Sequence, residues 1–304
     1  MNVFVTGGAG YIGSVCVEEL LNLGHTVTVF DNCSEGHRQA IDSRAQFIAG
    51  DLCDPGSVFS AVGATAPQAI MHFAANALVG ESMENPYKYF HNNVYGGLNL
   101  LRAAVEAGVK SFVFSSTCAT YGVPDRVPID EETPQNPINP YGESKLMFEQ
   151  VLRWFNRIHE IKYVALRYFN AAGASERFGE HHRIETHLIP RILAVALGHS
   201  PNAEIYGTDY PNAGWHLHPR LHSHIRSRPS PHPCSLRRRE WLLQFRNWWR
   251  CIGLRSHRSL PPSNRAQNSD CRKATAARGS SAAGCGIGKS KKAVGMDTEI
   301  SGYP

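Results

Sequence analysis

An α/β fold with a doubly wound parallel sheet is predicted for this chain, and three features predict it. The first is a strand, glycine-rich turn, helix and second strand in residues 2–31. The second is a series of further β-branched and aromatic runs separated by helical periodicity, the pattern of strands joined by helical crossovers. The third is an acid closing the second strand, where a nucleotide-binding βαβ unit places one. With 304 residues the chain can bury a sizeable core.

NVFVT (2–6) has strand length and composition, and GGAGYIG (7–13) follows it. VCVEELLNLG then has the apolar spacing of a helix ending at Gly24, and TVTVF closes on Asp31. In such a turn Gly7 permits the tight bend, Gly10 lets backbone approach a pyrophosphate, and Gly13 allows close helix–sheet packing. Asp31, eighteen residues after Gly13, is placed to accept hydrogen bonds from an adenosine ribose and to repel a 2′-phosphate. That combination favours NAD over NADP, with a plain structural turn as the competing reading. Further strands are predicted at QFIAGD (46–51), AIMHFA (69–74), SFVFSS (111–116) and YVALRYF (163–169), with helices over 87–107 and 143–159. Ligands of doubly wound sheets bind beyond the carboxyl ends of the strands. Asp51, the Phe73-Ala74-Ala75 turn, Thr117 and Phe169 fall there.

NPYGESK (139–145) places Pro140 at a helix start and Tyr141 four residues before Lys145, on one helix face. An ammonium held near a phenol stabilises the phenolate, so such a tyrosine can act as a base near neutral pH. YxxxK also occurs in ordinary amphipathic helices; its place after the fifth strand of a dinucleotide-type sheet favours the catalytic reading.

The opening MNVFVTGG has no basic segment leading into an apolar stretch, so no signal peptide is expected. No apolar run reaches the ~18 residues of a membrane helix. The eight cysteines lack CxxC pairs and read as reduced thiols, and a cytoplasmic location is expected. No metal site is expected.

These motifs, with FSSTCATYG (114–122) and LRYFNAAGA (166–174), resemble the extended short-chain dehydrogenase/reductase superfamily, and within it the UDP-glucose 4-epimerases. The resemblance runs from residue 1 to about 211 and includes HFAANALVGESMENP, NNVYGGLNLL and IYGTDYP. It implies Tyr141 as catalytic base and acid, Lys145 as the ribose-binding partner that depresses the tyrosine pKa, and Thr117 as the ligand of the sugar O4. It implies that Tyr11, Ile12, Asp31, Asn32, Cys33, Ser34, Asp51, Leu52, Phe73, Ala74, Ala75, Asn92 and Phe169 line NAD. Asn170, His187, Leu188, Glu204 and Tyr206 would face a UDP-sugar. The implied reaction is C4 epimerisation through a 4-keto sugar by a homodimer formed through the helices at 87–107 and 143–159. UDP-pentose 4-epimerases share these motifs. Sugar-nucleotide dehydratases carry an Asp-Glu pair where Cys118 and Ala119 stand here, and Ala77 stands where the family often has lysine.

The sequence divides into residues 1–170 as the dinucleotide-binding domain, 171–211 as the start of a substrate domain, and 212–304 as a tail of different character. Residues 1–211 hold 14 Lys+Arg and 22 Asp+Glu, a balance of −8, whereas 212–304 hold 17 and 4, a balance of +13. A basic nucleic-acid-binding appendage, or an inactive NAD-binding remnant with such a tail, is one reading. The genetic code favours another. Reading the codons of Trp215 to Leu236 one nucleotide late permits GTCIRDYIHISDLARAHILAL, the continuation a 4-epimerase would show after GTDYP. A single-nucleotide frameshift near 212–214 is therefore expected, and with it a poorly ordered tail and no nucleic-acid role.

Overall fold

The computed structural model describes residues 1–125 and 127–202; Glu204, Tyr206 and the segment 212–304 lie outside the described residues. Six strands form one parallel sheet: β1 (Asn2–Thr6), β2 (Thr26–Asp31), β3 (Gln46–Ala49), β4 (Ala69–His72), β5 (Ser111–Thr117) and β6 (Lys162–Tyr168). Their order is β3-β2-β1-β4-β5-β6. The chain moves outward in both directions from β1, so the crevice of the doubly wound fold opens where β1 meets β4.

Alternate residues of a strand point to opposite faces, and both faces here are buried. Val3 and Val5 pack with Val17 and Leu20 of helix α1 (Tyr11–Asn22) on one face. Phe4 points the other way, into a cluster with Leu100, Phe112 and Phe148. Each fully buried phenylalanine contributes about 1.5–3 kcal/mol relative to exposure. This two-sided burial explains why the strands read as nearly unbroken apolar runs.

Helix α2 (Pro55–Thr65) starts at Asp54, whose carboxylate accepts the Gly56 N–H at 3.0 Å. Two short helices, α3 (Val79–Glu84) and α4 (Pro86–Tyr89), precede α5 (Gly97–Glu106). The single helix predicted over 87–107 is interrupted, because Phe90–Gly96 is π-helical. The wider turn carries Asn93 inward, where its Oδ1 accepts the Asn76 N–H at 2.9 Å and its Nδ2 donates to Ser144 Oγ at 3.0 Å. Helix α6 (Pro140–His159) begins as its sequence predicts, with Asn139 Oδ1 accepting the Gly142 N–H at 2.8 Å. Three strands end earlier than predicted, at Ala49, His72 and Tyr168, since the backbone there leaves the ladder to line the crevice. No residue of α7 (Leu188–Ala196) is buried. Among the described residues no helix is long and apolar enough to cross a membrane.

Candidate active site

The carboxyl ends of β1, β4 and β5 open into a cleft of about 460 Å³, with a side chamber of about 100 Å³. The two share Gly7, Gly10, Glu35, Gly36, Phe73, Ala75 and Asn76. Gly7 has φ +73°, and a Cβ there would run into the backbone of Phe73 and Ala74. A Cβ on Gly13 would strike the Gly7 carbonyl. Gly10 differs, since a Cβ there meets only the Gly7 carbonyl at 3.4 Å; its remaining side is cleft wall, room for a group that hugs the backbone. Asp31 braces the turn, its Oδ2 accepting the Ala9 N–H at 3.0 Å and its Oδ1 the Cys33 N–H at 2.7 Å.

In the side chamber Asn32 Nδ2 donates to Asp51 Oδ2 at 3.0 Å, and Ser34, Leu52, Ala74 and Asn92 complete the wall. These residues fit the adenosine half of a dinucleotide, with carboxylates available to hydroxyls and the glycine turn available to phosphates. Cys33 lies apart from both chambers; at φ +55° it carries the chain past Asp31, which accounts for its position in the motif.

Thr117, Tyr141 and Lys145 come together on the far wall of the main chamber. Burial raises the Tyr141 phenol above its ordinary pKa, and a hydrogen bond with the Thr117 hydroxyl opposes that rise. The Lys145 ammonium does not reach the phenol oxygen. It donates to the Ser115 carbonyl at 2.8 Å and lies over the Tyr141 ring, 5.9 Å from its centroid. The expected depression of the phenol pKa by Lys145 is thus absent from this arrangement, and what opposes desolvation is the Thr117 hydroxyl. Burial also lowers Lys145 to about 7, against the opposing attraction of Glu149.

Tyr11, Ile12, Phe169, Asn170, His187 and Leu188 also line the main chamber. The Tyr11 hydroxyl donates to the Gly173 carbonyl at 2.5 Å, and burial, then Glu180, raises its pKa. Near the mouth, His187 Nδ1 lies 3.0 Å from Glu180 and 3.1 Å from Glu185, while His182 Nδ1 lies 3.5 Å from each of the same carboxylates. Among the described residues this is a group whose donor atoms, within 4.8 Å of one another, have metal-binding chemistry. His187 Nδ1 is hydrogen-bonded to Glu185, whereas the geometry at His182 Nδ1 falls short of a hydrogen bond.

Sequence reasoning missed the loop Glu35–His37, which walls both chambers through Glu35 and Gly36. A Cβ on Gly36 would lie 2.5 Å from the Ala9 carbonyl carbon, and His37 N–H donates to the Ala9 oxygen at 2.9 Å. The available signal was a glycine soon after the second-strand acid.

A family model described as NAD dependent epimerase/dehydratase family matches residues 3–213. The UDP-glucose 4-epimerase of Lactobacillus helveticus is 50% identical over 212 residues, covering 69% of this chain and 64% of that protein. That of Streptococcus mutans is 52% identical over 215 residues, with the same coverages. A crystal structure of UDP-glucose 4-epimerase from Brucella ovis in complex with NAD superimposes with TM-score 0.66 at 47% identity, covering 70% of this chain and 66% of that one. The Bifidobacterium longum enzyme in complex with NAD+ and UDP gives TM-score 0.66 at 36% identity, covering 71% and 68%. The chain spans about 64% of the length of the curated relatives it matches.

Proposed function

Because the chain belongs to the NAD dependent epimerase/dehydratase family, we propose that it carries the machinery for C4 epimerisation of a UDP-sugar, interconverting UDP-galactose and UDP-glucose with NAD held in the cleft. The supporting observation is the convergence of Thr117, Tyr141 and Lys145 at one end of a cleft whose other end is the Gly7–Gly13 turn and Asp31. NAD, when bound, supplies a reversible hydride acceptor. Tyr141 would take the C4 hydroxyl proton, and with the C4 hydride passed to bound NAD the sugar would be left as its 4-keto form. Thr117 holds the sugar O4 and hydrogen-bonds the phenol, which favours the phenolate against the burial that opposes it. On the return Tyr141 would give its proton back to O4, and with the keto sugar turned over in the site the hydride supplied by bound NAD would reach the other face of C4 and invert the carbon. Asp31 and Asp51 fit ribose hydroxyls of the adenosine half, while Asn170, His187 and Leu188 lie where the sugar nucleotide would extend.

We further propose that residues 212–304 are the product of a single-nucleotide frameshift. Two observations support this: the family match stops at residue 213, and the shifted codons of Trp215 to Leu236 permit an epimerase-like continuation. On that reading the chain as written lacks much of the substrate-binding part and turns over poorly or not at all. Restoring the frame and assaying both proteins with UDP-galactose, and with UDP-arabinose as the pentose arm, tests the proposal. Turnover without added NAD is expected only after restoration; a repaired protein containing no nicotinamide would defeat the reading.

The intact protein is further proposed to dimerise through α6. Met147, Trp154 and Ile158 are exposed at helical spacing on that helix, Trp154 at 59%. An apolar stripe of this kind suits a helix-to-helix interface between copies.

A further inference from the structure

Three consecutive residues at the end of β5 meet three residues spaced four apart along α6. Thr117 bonds Tyr141, Ser115 accepts from Lys145, and the Ser116 hydroxyl donates to Glu149 Oε1 at 2.5 Å. Spacing of four puts these helix residues on one face. The first two contacts belong to the proposed reaction and the third has no role in it.

Glu149 is 4% exposed and fully engaged. Arg167 of β6 grips it with two parallel bonds, Nε to Oε1 at 3.0 Å and Nη2 to Oε2 at 2.7 Å, and Gln135 Nε2 donates to Oε2 at 3.2 Å. Arg167 is the β6 partner of Ser116 in the sheet register and donates from Nη1 to the Tyr121 hydroxyl at 2.8 Å. A bidentate arginine–carboxylate pair fixes geometry as well as charge.

We infer that Glu149, clamped by Arg167 and Ser116, is a positioning residue for the Tyr141–Lys145 pair: it ties α6 to the end of β5, so that the phenol meets Thr117 and the Lys145 ammonium meets the Ser115 carbonyl. The inference rests on the proposed role of that pair. The groups facing Lys145 support it. On α6 these are Tyr141 and Glu149; on β5, the Phe114 ring at 4.8 Å and the Ser115 carbonyl; on β4, His72. His72 is held well below the imidazole range by burial and then by Lys145, so it carries no charge near neutral pH. Glu149 is the acid in this set. Burial pushes its carboxyl up, but the bonds from Arg167 and Ser116 outweigh burial and keep it ionised.

The test is the titration of Lys145 in the full chain, in Glu149→Gln and in Arg167→Gln. It is read from the pH dependence of trace acylation of the Lys145 peptide by mass spectrometry. Loss of the carboxylate is expected to lower the midpoint from about 7, so that the protonated fraction above it falls about tenfold. Loss of Arg167 leaves burial to protonate Glu149 and so is expected to lower it as well. A general loosening of α6 would instead admit water and raise the midpoint in both variants toward the ordinary lysine value. A midpoint unchanged or raised in Glu149→Gln overturns the inference, and if Glu149→Gln does not fold, an Arg167→Gln midpoint at or above the parent's overturns it. NADH fluorescence on the parent chain tests the nicotinamide reading separately, since a chain that binds none fails that reading whatever Lys145 does.

Discussion

At the scale of single residues, His72 carries a testable pH dependence. It is buried on β4, its Nδ1 hydrogen-bonds Thr6 Oγ1 at 2.7 Å, and its pKa is lowered to about 3 by burial and then by Lys145. The unfolded chain takes up this proton near 6.5 and the folded chain does not. Stability from His72 is therefore complete above about 6.5 and is lost as pH falls toward 3, on the order of a few kcal/mol. Denaturant midpoints between pH 7 and pH 4 check this, and His72→Asn should flatten the profile. Lys145 gives a second window with the same sign. Its folded value of about 7 lies below its unfolded one, so its cost to stability is full below 7 and is relieved as pH rises toward about 10.4. Gly7→Ala should cost more than about 1 kcal/mol, read as a lower melting temperature, because φ +73° and the Ala74 backbone both exclude a side chain. Gly7, Asp31, Tyr141 and Lys145 were legible in the sequence because each sits at a fixed offset from a strand or helix end. Glu149 and Arg167 were not. Their pairing depends on the β5–β6 register, which places Arg167 beside Ser116, and no local pattern encodes that.

At the scale of elements, the parallel strands were legible because both faces are buried, so apolar runs mark them directly. The helix over 87–107 was misread because a π-turn keeps an approximately helical apolar pattern while rotating one residue inward. That residue, Asn93, ties Asn76 in the cleft wall to Ser144, the neighbour of Lys145. Asn93→Ala is expected to weaken NADH binding, measured by fluorescence titration, since it frees the 76–78 segment and the first turns of α6 together. The proposed α6 interface makes a separate prediction. In the frame-restored protein Trp154→Glu should convert a dimer to a monomer by light scattering, because it puts a charge within the exposed stripe of Met147, Trp154 and Ile158. An unchanged dimer would remove α6 from the interface.

At the scale of the whole molecule, a well-packed parallel sheet is joined to a segment that packs much less. α7 exposes Leu188, Ile192 and Leu193, with Leu197 following at 69%, and apolar surface of this kind marks a missing contact. The sequence bears the same division in its charge balance, which reverses at about residue 212. The fold of residues 1–170 was legible in the chain, whereas the completed substrate site was not, because the proposed frameshift replaces the residues that would form it. The central proposal, that Tyr141 moves the sugar's C4 proton beside a bound nicotinamide, is tested most directly by turnover of UDP-galactose in the frame-restored protein and its Tyr141→Phe variant, each assayed without added NAD. The predicted result is UDP-glucose formation by the restored protein and a loss of about 10²–10⁴-fold in the variant, with NADH fluorescence still present in both. Full turnover by Tyr141→Phe would contradict it.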